Sequence, residues 1–159
     1  MDKYVIDVPL ILRFLIVYCF VLPFRPKKSA EAYSTIWTDE GSPLIVMSQR
    51  VFGLLKERIK EPMALGMRYG NPSIKSAIDS LLDQDESITD IRLVPLYPHY
   101  AMASTLTVIE EVKDVVGNCF SHLNVHYIES FFDHPLYIKS LEKSLRPYVE
   151  ESSIDYLLF

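Results

Sequence analysis

Arg92-Leu93-Val94-Pro95-Leu96-Tyr97-Pro98-His99-Tyr100, followed by Ala101-Met102-Ala103-Ser104-Thr105, is the stretch that decides the fold. An apolar run rises out of polar sequence and predicts a buried strand over 91–96. It stops at the Tyr-Pro-His-Tyr turn, and a Ser/Thr-led pattern then predicts a helix over about 103–116. Strand, stiff loop and helix start form the place where open α/β sheets bind ligands, at the carboxyl ends of their strands. Pro95 and Pro98 fix φ and remove two donors, so the loop is stiff and presents Tyr97 and Tyr100 outward. Taken alone, the segment also fits an ordinary βα turn with packed tyrosines.

Working outward, the same alternation recurs. Met63-Ala64-Leu65-Gly66-Met67-Arg68-Tyr69 reads as a strand closed by Gly70-Asn71-Pro72. Ser73 then opens a helix in which Ile74, Ala77, Ile78, Leu81 and Leu82 follow the helical period. Downstream come a strand over 124–129, a helix over 135–150 and a last strand over 154–159. Ser42 as N-cap with Pro43 behind it predicts a helix to residue 60. Ser29, after the basic break Arg25-Pro26-Lys27-Lys28, predicts another helix start. Strands alternating with helices predict an α/β fold: a three-layer parallel sheet with flanking helices and right-handed crossovers, a Rossmann-like lobe. The chain opens on a helix and ends inside an expected strand, so both ends read as cut.

Composition narrows the function. The 159 residues suit one domain, or one and part of another, and 49% apolar content is ample for a core. A net charge of −5 argues against nucleic acid as a partner, which needs a basic face. Cys19 and Cys119 lie far apart, neither a staple nor a zinc or iron–sulfur ligand set, and read as reduced thiols of a cytoplasmic protein. The apolar stretch 8–24 (VPLILRFLIVYCFVLPF) carries Arg13 and is bracketed by Pro9 and Pro23, which makes it marginal for a membrane span. Asp2 and Asp7 spoil a basic leader, and no small-residue cleavage site follows. It reads as a helix that packs on the domain or lines a greasy mouth, with peripheral contact to an inner-membrane surface as the alternative.

Four segments together resemble one family, ferrochelatase, in its Gram-negative bacterial form. They are Phe24-Arg25-Pro26-Lys27-Lys28-Ser29-Ala30-Glu31-Ala32-Tyr33 with Ile36-Trp37, Glu40-Gly41-Ser42-Pro43-Leu44, Met67-Arg68-Tyr69-Gly70-Asn71-Pro72-Ser73-Ile74, and Leu96-Tyr97-Pro98-His99-Tyr100. Their order and spacing match over nearly the whole chain, and the combination is specific although each alone is weak. The resemblance implies a chelatase-like fold and insertion of ferrous iron into protoporphyrin at the end of haem synthesis. Iron and porphyrin would be substrates, and no further cofactor is required. Residues 1–159 would form most of the first lobe and the start of the second, the N-terminal half of the enzyme without its opening strand.

The resemblance also implies site residues. Arg25, Tyr33 and Ser42 match porphyrin-contacting positions, and Arg25 suits a propionate through its guanidinium. Arg68 and Tyr69 match an inner-cleft pair, while Tyr97 and Tyr100 would line the pocket wall. Read without the resemblance, Arg25 is a solvated loop cation and Arg68 the partner of a carboxylate. The family's base is a histidine in a Ser-x-His-Gly segment, supported by a glutamate farther on; neither occurs in these 159 residues, so no catalytic residue is expected here and the fragment is expected to be inactive. His99 stands where bacterial members commonly have glutamine, and it is not promoted to a ligand. His122 and His126 have a helical ligand spacing but fall on a loop and a strand, and His134 precedes a helix. Glu110-Glu111 and Glu150-Glu151 are expected on solvated helix faces. Open strand edges predict self-association. The rivals are a chelatase for coproporphyrin or for cobalt, and a non-catalytic α/β binding module.

Overall fold

The computed structural model describes residues 2–151. Its centre is the unit that the opening stretch predicts. Strand β1 (Asp90–Leu93) leads through the proline loop and a short π-helical turn (Met102–Leu106) into helix α5 (Thr107–Cys119), which returns the chain to strand β2 (Asn124–Tyr127). The two strands pair in parallel, Ile91 opposite Val125 and Leu93 opposite Tyr127. Helix α4 (Ile74–Gln84) precedes β1 and packs on α5. Ile74 and Ile78 of α4, Val112 and Val116 of α5, and Phe120 and Leu123 beyond it form the core, against which Ile91, Leu93 and Val125 lie. These are the residues that the 3.6 and 2.0 periodicities put on one face.

The protein is α/β with a parallel sheet, as expected, but narrower. Among the described residues the sheet has two strands, and α4 and α5 cover one face of it. The expected third layer is not formed there, because the opposite face carries Asp90, Arg92, Asn124 and His126, all exposed. His126 Nε2 meets Asp90 Oδ1 at 3.0 Å across that face. The expected strand over 154–159 lies outside the described residues.

Two local expectations are corrected. Residues 63–69 make no strand. Among the described residues their sole ladder contact is a bridge between Met67 and Ser73, closed by Met67 N–H donating to the Pro72 carbonyl at 2.8 Å. A strand needs a neighbour for its donors and acceptors, and no described segment runs alongside. The segment instead lies on α4, where a Cβ at Gly66 would sit 3.2 Å from the Ala77 Cβ and 3.3 Å from the Ile74 Cα. Gly70 closes the segment at φ +90°, a conformation only glycine adopts without strain.

The basic break at 25–29 is also absent. Helix α1 (Leu10–Leu15), a π-helical stretch (Ile16–Val21) and α2 (Leu22–Ser34) follow one another without interruption, so Ser29 lies mid-helix. Lys, Glu and Ala around it are good helix formers; Pro23 falls in the first turn of α2, right after the π stretch, where its missing donor is tolerated, while Pro26 lies inside the helix. Arg13 is not a stray charge, since Nε and Nη2 donate to the Ile6 and Val8 carbonyls at 2.9 Å each. Helix α3 (Pro43–Lys56) starts as expected after Ser42 but stops short of residue 60, closing in a turn in which the Arg58 and Ile59 N–H groups donate to the Leu55 carbonyl at 2.9 Å each.

Helices α1 to α3 bury no residue. The total accessible surface is 12379 Å², where a compact chain of this length exposes about 8,000 Å². The excess includes a broad apolar face on 10–34, with Ile11 at 78% and Phe24 at 69% exposure. No helix among the described residues is long and apolar enough to cross a membrane.

Helix α6 (Pro135–Glu151) completes the described elements. The N-caps differ in a testable way. Ser73 Oγ accepts the Ser76 N–H at 3.1 Å, whereas the Ser42 side chain makes no cap bond. Ser73→Ala is expected to cost about 1 kcal/mol in urea unfolding and Ser42→Ala clearly less.

Candidate functional site

Arg68 and Tyr69 end the 63–69 segment just before its glycine turn, and the carboxylate partner expected for Arg68 is there: Asp2, which also holds Tyr69. Asp2 Oδ2 accepts Arg68 Nη2 at 2.8 Å, the Tyr69 hydroxyl at 2.8 Å and the Thr107 hydroxyl. Its other oxygen accepts the Tyr4 N–H at 2.9 Å. Arg68 Nε donates to Thr107 Oγ1 at 2.9 Å, and Nη1 meets Glu111 Oε2 at 3.0 Å. The guanidinium also stacks on its neighbour, with Cζ 4.6 Å from the centre of the Tyr69 ring. Thr107 is buried and its hydroxyl both donates and accepts, which leaves no unsatisfied group in the cluster.

Electrostatics follow from that geometry. Burial alone pushes the Asp2 carboxyl up, but hydrogen bonds from Thr107, Tyr4 and Tyr69, with the Arg68 charge, override it and hold the pKa at about 2. Partial burial, and then the hydrogen bond to Asp2, push the Tyr69 phenol up. The residue nonetheless remains 60% exposed. Its hydroxyl is tethered while its face is open.

Glu111 is therefore not on a solvated face, as expected from sequence, but an ion-pair partner of Arg68. Glu110 accepts from the Tyr4 hydroxyl at 3.1 Å and from Lys113 at 2.9 Å. The signal was present: Thr107 and Glu111 are one helical turn apart, on the face that an arginine held near a buried segment would need. Nothing local in the sequence ties Asp2 to Arg68, 66 positions away.

The remaining predicted site residues lie apart from this cluster. Arg25 and Tyr33 are exposed on α2, and Arg25 makes no ion pair among the described residues. Ser42 is half-buried at the start of α3, its hydroxyl unused by the helix end. No hydrogen bond among the described residues links these three to Asp2, Arg68 or Tyr69. Tyr97 and Tyr100 are exposed, on a loop fixed from two sides. Phe131 N–H donates to the Pro98 carbonyl at 2.9 Å, and Thr105 donates to the His99 carbonyl at 3.4 Å. His99 stacks on Phe132, centroids 5.5 Å apart, and the His134 Nδ1 accepts the Leu136 N–H at the start of α6. No group of three metal-ligating side chains occurs among the described residues.

A ferrochelatase family model matches residues 1–159. The chain is similar to ferrochelatases of Ectopseudomonas mendocina, 44% identical over 159 residues (99% of this chain, 46% of the relative), and of Coxiella burnetii, 41% identical over 164 residues (99% and 44%). It is also similar to the ferrochelatase of Legionella pneumophila, 40% identical over 153 residues, 95% of this chain and 45% of the relative. The chain thus spans about half the length of the curated relatives it matches. No solved structure matches it. A match over every residue, including the Arg68–Tyr69 segment and the tyrosine loop, shows that the chain belongs to the ferrochelatase family.

Proposed function

We propose that this chain forms the porphyrin-holding part of a ferrochelatase, an enzyme that inserts ferrous iron into protoporphyrin IX and releases two protons. Family membership over all 159 residues carries the reading. The macrocycle is flat and apolar with two propionates, so its site needs aromatic walls and a few cations. Tyr33, Tyr69, Tyr97 and Tyr100 are exposed aromatics, and Arg25, without an ion pair among the described residues, and the Ser42 hydroxyl, which makes no cap bond, suit propionates. Metallation also requires a base for the pyrrole protons. No Ser-x-His-Gly segment occurs in the 159 residues, so the chain holds the ring without metallating it. Working in the cytoplasm, it would meet a membrane surface through the apolar face of 8–24, and the outer edges of β1 and β2 would let copies associate.

Titration of the chain with protoporphyrin, followed in the porphyrin absorption band, is expected to saturate, with anaerobic ferrous iron insertion no faster than in buffer. Absence of saturable binding overturns the reading. Metallation above the uncatalysed rate overturns the assignment of the base. Tighter binding of coproporphyrin would move the substrate to that porphyrin.

A further inference from the structure

We propose that Asp2 is a positioning residue for the porphyrin wall, holding the Tyr69 ring and the Arg68 guanidinium in place through one carboxylate oxygen. The inference rests on the porphyrin reading above and adds to it a residue that touches no substrate. Three donors converge on Asp2 Oδ2: Arg68 Nη2 and the Tyr69 hydroxyl at 2.8 Å each, and the Thr107 hydroxyl. Two belong to the wall segment and the third to α5, so the carboxylate joins the wall to the helix of the core. Its side chain is 10% exposed, and the segment that carries it is itself pinned. Tyr4 donates to Glu110 of α5, and Arg13 holds the Ile6 and Val8 carbonyls.

The result is a ring with its hydroxyl fixed, one face over the guanidinium and 60% of the residue open. Arg68 has each of its three nitrogens engaged, with Thr107, Asp2 and Glu111. It therefore acts first as a brace for Tyr69. A flat macrocycle meeting the open face finds a surface already oriented, so binding loses less side-chain freedom.

The test is a set of variants of the full chain read by protoporphyrin titration, far-ultraviolet circular dichroism and phenol absorbance. Asp2→Asn is expected to weaken protoporphyrin about tenfold with unchanged helical signal, the scale of one charge-assisted hydrogen bond. The phenol identified by Tyr69→Phe is expected to titrate at lower pH in Asp2→Asn, a change that a merely structural role would not produce. In an Arg68→Met, Tyr69→Phe background, Asp2→Asn is expected to add little, because its effect passes through those two groups. Unchanged affinity in Asp2→Asn with weakened binding in Tyr69→Phe overturns the positioning role, as does an effect that adds in full to the background. Unchanged affinity in all the variants overturns the porphyrin wall itself, and the proposal with it. If Asp2→Asn loses helical signal, Asp2→Glu, which keeps the charge and moves it, takes its place with the same outcomes.

Discussion

Ile78→Ala is expected to lower the unfolding free energy by about 2–5 kcal/mol, and Ile78→Val by about 0.5–1.5 kcal/mol. Ile78 is 5% exposed and sits where α4 meets Val112 and Val116 of α5. Truncation to alanine removes buried methyl and methylene groups from a core of few large residues, and that core has little else with which to fill the space. With total stabilities of single domains at about 5–15 kcal/mol, that loss is a large share of the whole and is expected to shift the unfolding midpoint clearly. Urea unfolding followed by circular dichroism checks it. Equal midpoints for the alanine variant and the parent would show that α4 does not pack on α5 as described. Leu10→Ala, at a residue 70% exposed on the open helical face, is expected to change little in the same measurement.

Arg68→Ala is expected to cost about 2–4 kcal/mol at pH 7, near the lower end of what breaking a buried ion pair costs. The loss is large because the Asp2 side chain is 10% exposed and keeps its charge without the guanidinium. It stays below the upper range because Glu111 is 37% exposed and recovers water. Removing Arg50, whose pair with Glu40 is about 62% exposed on both sides, is expected to cost under about 0.5 kcal/mol.

Acid supplies the sign test for that account. The Asp2 carboxyl falls from an ordinary 3.8 to about 2 on folding, so its contribution is complete above about pH 4 and is lost as pH falls through 2. In Arg68→Ala one of the groups that depress it is gone, and its folded value rises. The variant therefore has less to lose in acid, and the gap between parent and variant narrows from pH 7 to pH 3. An unchanged gap would place the cost of Arg68→Ala elsewhere than in its pair with Asp2.

Much of the fold was legible locally. The 3.6-residue spacing from Ile74 to Leu82 and the apolar run at 91–96 describe short-range preferences, and α4, β1, α5, β2 and α6 lie where those patterns point. The Ser73 and Ser42-Pro43 helix starts were legible for the same reason, since the Ser73 cap bond and the fixed φ of Pro43 at the first helical position are both local. The strand expected at 63–69 was not decided by such patterns. Whether an extended apolar segment becomes a strand depends on a partner elsewhere in the chain, and here it met the side of α4 instead.

The site divides in the same way. Arg68, Tyr69, Tyr97 and Tyr100 stood out because their motifs are contiguous and match a family pattern. Asp2, Thr107 and Glu111 did not, because each is unremarkable among its neighbours and acquires meaning through a contact across 39 to 105 positions.

The sequence by itself determined the family, the βαβ unit and the tyrosine-bearing loop, all of which rest on residues close together in the chain. Only the tertiary structure decided that α4 and α5 lie on one face of the parallel pair, that 10–34 is one continuous helical run, and that Asp2 anchors Arg68 and Tyr69. A carboxylate joins donors from distant segments only after the backbone has brought them within hydrogen-bond reach, and no local spacing encodes that meeting.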